Sequence, residues 1–244
     1  MAVYYPETDD MAENLLQRLM GEFLRPLIQR FLQEAMEGVN AKDKRYKPLR
    51  AHRTLRVGAD QFWYYVEGDA GKCVSPDVYV IAGVDPKCTP PSWKLWELEK
   101  PPVFALEIVS QNKNKDYIET PKAYAHTGVR ELVVYDPEAP VLSDISDEQS
   151  RVRWQVWRRT SAGRWSKVVR SNADRIESEA LCCWLRVVGE DEERLLRLAT
   201  GPQGDELFLS GEESEQRQRK KLEAQVQTLR AQLARLAHKA KKPK

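Results

Sequence analysis

The stretch PPVFALEIVSQNKNKDYIETPKAYAHTGVRELVVYDP, Pro101 to Pro137, decides how the chain is read. VFALEIVS is a short apolar run between Pro101-Pro102 and a polar loop, the pattern of a buried strand. DYIETPKAYAHTG follows as a helix with Gly128 placed as its C-cap. Pro121 must lie early in that helix or break it. VRELVVYDP is a second apolar strand, stopped by Asp136-Pro137. The first of these strands carries one carboxylate, Glu107, and a charge in a buried strand is costly unless it is paired or bound to a metal.

Upstream, VSPDVYVIAG (Val74 to Gly83) reads as a strand, with Pro76 near its start where proline is tolerated. Its lone carboxylate is Asp77. QFWYYVEGD (Gln61 to Asp69) has the aromatic content of a strand ended by Gly68-Asp69. The basic run from Ala41 to Arg56 reads as a solvated loop. A phosphate-facing patch with Tyr46 and His52 interleaved is a second reading. Nearer the start, Leu15, Leu16, Leu19, Met20, Phe23, Leu24, Leu27, Ile28, Phe31 and Leu32 recur at helical spacing. Asp10 and Glu13 sit as in a capping box, and Pro26 should kink or split the helix.

Downstream, RVRWQVWRRT and GRWSKVVRS alternate as a β-hairpin turning at Ser161-Ala162-Gly163. Its tryptophans Trp154, Trp157 and Trp165 read as packing residues, with base stacking as the other use of such rings. Leu181 to Val188 and Glu193 to Ala199 add short elements. From Glu212 the chain is highly charged. Leu222, Val226, Leu229, Leu233 and Leu236 alternate steps of four and three, a heptad seam of about two heptads. The expected division is a domain over 1–211 and a charged helical tail over 212–244.

Composition bounds the function classes. Of 244 residues, 41% are apolar, enough for a core; Lys+Arg number 39 against Asp+Glu 37, so a net charge of +2 gives no global argument for nucleic acid or membrane. Any basic surface must be local. Cys73, Cys88, Cys182 and Cys183 form no C-x-x-C pair, so reduced thiols are expected. MAVYYPETDD has neither a basic n-region nor an apolar h-region, no run is long enough to span a bilayer, and a cytoplasmic protein is expected. No phosphate-binding glycine loop, G-x-S-x-G or H-E-x-x-H is present.

Asp77 and Glu107 therefore stand out. If their strands pair, the two carboxylates converge at one sheet end. Two carboxylates at close range repel unless a cation sits between them, and Mg²⁺ takes oxygen ligands from one or two carboxylates while keeping several waters. Such a site activates water and stabilises charge at a phosphate. The other reading is that each acid pairs with a nearby Arg or Lys.

Several blocks also resemble a known family. Pro76-Asp77-Val78, Glu107-Ile108-Val109-Ser110, Tyr124, Gly128-Val129-Arg130-Glu131 and Asp136-Pro137 are similar to the Uma-type restriction endonucleases of the PD-(D/E)XK nuclease superfamily. Met11 to Asn14, and Phe62 to Asp69, resemble members with a longer N-terminus. The resemblance implies an α/β, restriction-endonuclease-like core with a mixed central sheet flanked by helices. It also implies a divalent metal, Mg²⁺ with Mn²⁺ as a substitute, held by Asp77, Glu107 and the carbonyl of Ile108, with DNA as the partner. Glu13 would then hold a metal-bound water, or act only in its capping box. The superfamily also uses a lysine to orient the attacking water and stabilise the transition state. The usual E-x-K place holds Val109, and the helix place used by Uma-type sequences holds Thr120. Lys122 is the expected substitute, although two residues along a helix turn a side chain by roughly 200°; Lys115 lies in the preceding loop. The expected function is a metal-dependent endonuclease, paired as a homodimer through the C-terminal helix. The alternative is a catalytically weakened or inactive nuclease fold that binds nucleic acid or serves assembly.

Overall fold

The computed structural model describes residues 15–37, 43–109, 115–140, 145–148, 150–189 and 194–240. Glu13, Ser110 and the capping box at Asp10 lie outside the described residues. The chain divides into two compact units, Met1–Leu207 and Phe208–Lys244.

In the first unit, helix α1 (Leu15–Glu37) runs through Pro26 as one element. The basic run that follows is not a plain loop. It forms a 3-10 turn at Lys44–Tyr46, the one-turn helix α2 (Lys47–Arg50) and strand β1 (Leu55–Gly58). Tyr46 is buried and meets Phe31 of α1 edge to face at 5.6 Å. That packing overturns the reading of Tyr46 as part of a phosphate-facing patch. The aromatic run at Gln61 contributes only β2 (Trp63–Tyr64), which pairs with β3 (Cys73–Val74) and, in parallel, with a later short strand. Next come β4 (Val78–Ala82), β5 (Trp93–Lys94, the parallel partner of β2) and β6 (Phe104–Ile108). A π turn at Lys115–Glu119 leads into α3 (Thr120–Thr127), and β7 (Glu131–Tyr135) follows. The hairpin is β8 (Trp154–Arg159) and β9 (Trp165–Ser171). A meander of β10 (Arg175–Ser178), β11 (Cys183–Val188), β12 (Leu195–Thr200) and β13 (Glu206–Leu207) ends the unit.

The central sheet has the order β1-β4-β6-β7-β8-β9 and is mixed: β6 and β7 are parallel, the other pairs antiparallel. The β6–β7 crossover contains α3, as a parallel connection requires. Alternation along the strands assigns the faces. Tyr79, Ile81, Ala105, Val109, Leu132 and Val134 form one face, packed against Tyr117 and Tyr124 of the crossover and against Trp63 and Trp93. The opposite face, with Val78, Val80, Phe104, Leu106, Ile108, Val133 and Tyr135, is buried in turn; α1 lies against β1, β4 and β12. Gly58 is required where it stands, because a Cβ there would come within 2.2 Å of the Tyr79 ring. Gly128 ends α3 at φ 78°, the left-handed C-cap expected of it.

In the second unit, α4 (Gly211–Ala240) starts from a capping box: Ser210 N donates to Glu213 Oε2 (2.7 Å) and Glu213 N donates to Ser210 Oγ (3.2 Å).

Candidate active site

Asp77 immediately precedes β4, and Glu107 is the fourth residue of β6. Val78 stands opposite Leu106 in the antiparallel pair. One residue further in the same register, Asp77 falls opposite Glu107. Ile108 N points toward β4, since it donates to Asp77 Oδ2, whereas Val109 N donates to Tyr135 O on the β7 side. Backbone groups of successive residues alternate between neighbours, so Asp77 and Glu107 occupy a non-hydrogen-bonded pair, the kind whose side chains stand closer. As a strand residue, Ile108 has its carbonyl on the same side as its N–H, the β4 side. Extending the register again sets Pro76 opposite Ile108, and proline has no N–H to continue the ladder. The strand pairing ends at Val78 and Leu106, one residue short of Asp77 and Glu107.

The electrostatics follow from that placement. Glu107 is half-buried as a side chain, but its carboxyl lies among protein atoms. Desolvation raises its pKa well above the ordinary carboxylate range, and the charges of Asp77 and Asp116 raise it further. Tyr124 OH, donating to Glu107 Oε1 at 2.5 Å, and the charge of Lys115 act in the opposite sense. Burial and Glu107 hold the Tyr124 hydroxyl itself far above its usual pKa.

Glu131 supplies the internal comparison. It is also a carboxylate in an apolar strand, and it is 1% exposed. Arg158 Nε reaches it at 2.7 Å, Ser178 Oγ donates to one oxygen and Glu179 N to the other at 3.1 Å. That is a structural carboxylate, satisfied by a cation and neutral donors. Glu107 has instead a second acid across the strand and a third nearby.

Lys115 opens the π turn and is exposed, and Asp116 beside it is buried. The turn is pinned through Tyr117. Its hydroxyl donates to Asp136 Oδ2 (2.6 Å) and accepts from Val152 N (3.0 Å). Asp136 is fully buried and clamped by Arg151 through two bonds of 2.8 Å. Lys122 is exposed, about 200° round the helix axis from Tyr124, so the structure does not turn it toward Glu107. His126 is a surface residue whose ring stacks on Tyr65. Trp157 and Trp165 stack on each other, and Trp165 Nε1 donates to Pro121 O; these tryptophans hold the hairpin to α3. Among the described residues no group of three or more His, Cys, Asp or Glu is placed to hold a metal ion. Asp116 was not legible as a site residue: it lies in an aperiodic polar run, and only the crossover's path brings it near Glu107.

One family model matches residues 44–184, more than half of the chain; it is Uma2, described as a putative restriction endonuclease. The chain belongs to the Uma2 family. The Uma2 match takes in the whole six-stranded sheet, α3, and Asp77, Glu107, Lys115 and Tyr124; α1 and α4 lie outside it. Its α/β architecture with a mixed sheet is that of a restriction-endonuclease-like fold. No curated protein and no solved structure matches the chain. No described helix is long and apolar enough to cross a membrane.

Proposed function

We propose that the protein is a metal-dependent endonuclease that hydrolyses phosphodiester bonds in DNA. The observation that carries this reading is the cross-strand apposition of Asp77 and Glu107, with the Glu107 carboxyl desolvated and repelled by other acids. A divalent cation held there would offset that repulsion. The donor set suits Mg²⁺, or Mn²⁺ in its place, which Asp77, Glu107 and the Ile108 carbonyl would hold. When bound, the ion supplies a nucleophilic water and charge stabilisation at phosphorus. The residues do the rest. Tyr124 orients the Glu107 carboxylate, and Asp77 is oriented by Ile108 N. The lysine role passes from Lys122 to Lys115, whose charge is felt at Glu107. The protein acts as a cytoplasmic enzyme and pairs with a second copy through α4.

The second reading keeps the fold and loses the chemistry, leaving a nucleic-acid-binding or assembly module. Val109 at the E-x-K place, Thr120 at the helix place and Lys122 facing solvent favour it.

The test is cleavage of plasmid and short duplex DNA with Mg²⁺ or Mn²⁺. Wild type should cut, Glu107→Ala should abolish cutting, Lys115→Ala should slow it by roughly 100-fold or more, and Lys122→Ala should leave it near wild type. Cutting that survives Glu107→Ala would refute the site. DNA binding without cutting would establish the second reading.

A further inference from the structure

Helix α4 carries an apolar stripe that its own unit leaves open. Leu222, Val226, Leu229 and Leu233 are 61, 45, 58 and 66% exposed. They are the only large apolar residues among the described side chains of α4, and all lie on one heptad seam. With Val226 at position a, Leu222 and Leu229 are at d and Leu233 at a. The flanking g positions are Gln218, Gln225 and Gln232, all neutral. The flanking e positions include Glu223 and Arg230, of opposite sign.

This pattern discriminates between orientations, because e and g charges set the direction of pairing in a coiled coil. A parallel pair sets g against e. Glu223 would face Gln218, and Arg230 would face Gln225, so neither charge finds an opposite charge on the second helix. The parallel pair also stacks each a or d residue on its own copy, which sets Arg219 against Arg219 and Glu215 against Glu215 in the layers before Leu222. An antiparallel pair sets e against e. Centred between Val226 and Leu229, it packs Leu222 on Leu233 and Val226 on Leu229 of the second copy. Glu223 then lies one half-turn in height from Arg230 of the second copy, and two-fold symmetry makes that pair twice. The Arg219 layer no longer meets itself. Within the helix Arg219, at an a position, pairs with Glu223 at 3.1 Å.

We propose that α4 forms a two-fold antiparallel coiled coil with α4 of a second copy of this chain, held by the Leu222–Leu233 seam and oriented by reciprocal Glu223–Arg230 pairs. The interface is isologous. The two helix starts at Gly211 fall about 50 Å apart, from 33 residues of separation at 1.5 Å rise, so the chains leave the coil at opposite ends.

Sedimentation equilibrium of the full chain tests this. Wild type should dimerise. Glu223→Lys makes both e positions basic, Arg230→Glu makes both acidic, and each variant alone should self-associate about 10-fold more weakly or worse. An equimolar mixture should recover dimer, because each copy then supplies the charge that the other lacks. Recovery on mixing also shows that neither variant has simply lost its helix. A wild type that stays monomeric overturns the proposal. So does undiminished self-association of the single variants, or a mixture no tighter than its components. DNA cleavage enters none of these readouts, so the outcome is separate from that of the nuclease reading.

Discussion

Tyr124 is the residue on which the candidate site can be tested without removing a ligand. Its hydroxyl is buried and donates to Glu107 Oε1, and it is one of the few groups that ease the ionised form of that carboxyl. Glu131 has a guanidinium, a hydroxyl and a backbone N–H for the same purpose; Glu107 has two acids as neighbours. Tyr124→Phe should therefore leave a folded protein, within about 1–2 kcal/mol of wild type, since one buried hydrogen bond is removed and the ring still packs against Trp63. Its effect on metal should be larger in proportion. A group that orients a ligand typically contributes 10–100-fold in affinity, so the Mg²⁺-dependent rise in melting temperature should shrink markedly. Calorimetric titration with Mg²⁺ gives the affinity directly. An affinity equal to wild type would show that Tyr124 does not orient a metal ligand.

At the scale of elements, the crossover between β6 and β7 decides what reaches the site. A parallel connection must climb over the sheet, and here its first described turn is a π turn anchored by one hydroxyl. Tyr117→Phe deletes the donor to Asp136 and the acceptor for Val152 N. Arg151 still holds Asp136, so the expected cost is about 1–3 kcal/mol, with faster amide exchange across residues 115–120. Full protection of that turn in Tyr117→Phe would count against the anchor. The same crossover marks where sequence reading stops. The strands VFALEIVS and VRELVVYDP were legible from apolar runs and proline punctuation, and α3 from its spacing and Gly128. Asp77 and Glu107 stood out because each was the sole acid in such a run. Glu131 stood in the same kind of run, and nothing local distinguished it from them; its partners Arg158 and Ser178 come from β8 and β10, far along the chain. The approach of Lys115 and Asp116 likewise depends on a turn whose anchor, Asp136, lies beyond the next strand. Strand placement is a local property, whereas charge partnership is a tertiary one. The run from Ala41 to Arg56 misled for the same reason, because the burial of Tyr46 and Leu49 under α1 outweighs the basic residues between them.

The first unit buries several phenols. Tyr79 and Tyr135 sit in the central sheet with almost no exposure, and Tyr124 and Tyr117 cover it from the crossover. Desolvation pushes the hydroxyls of Tyr79 and Tyr135 from 10.0 up to about 12, and those of Tyr117 and Tyr124 are raised further. The sign of the consequence is fixed by linkage. A phenol whose pKa is higher in the folded than in the unfolded chain favours folding while it stays protonated. The contribution is complete below the unfolded value near 10 and is lost as the pH climbs through the folded value. For Tyr79 and Tyr135 a rise of two units corresponds to about 3 kcal/mol each, lost at up to ~1.4 kcal/mol per pH unit. Several such phenols acting together bring the loss within the range of a domain's entire stability, about 5–15 kcal/mol. Stability from urea titrations should therefore hold near pH 9 and fall steeply between pH 10 and 12. Phenolate absorbance from these rings should appear only as the sheet signal in circular dichroism disappears, because the folded sheet has no solvent in which to place the charge. Ionisation of all nine tyrosines near pH 10 with the sheet intact would mean that the interior admits water far more freely than this packing allows.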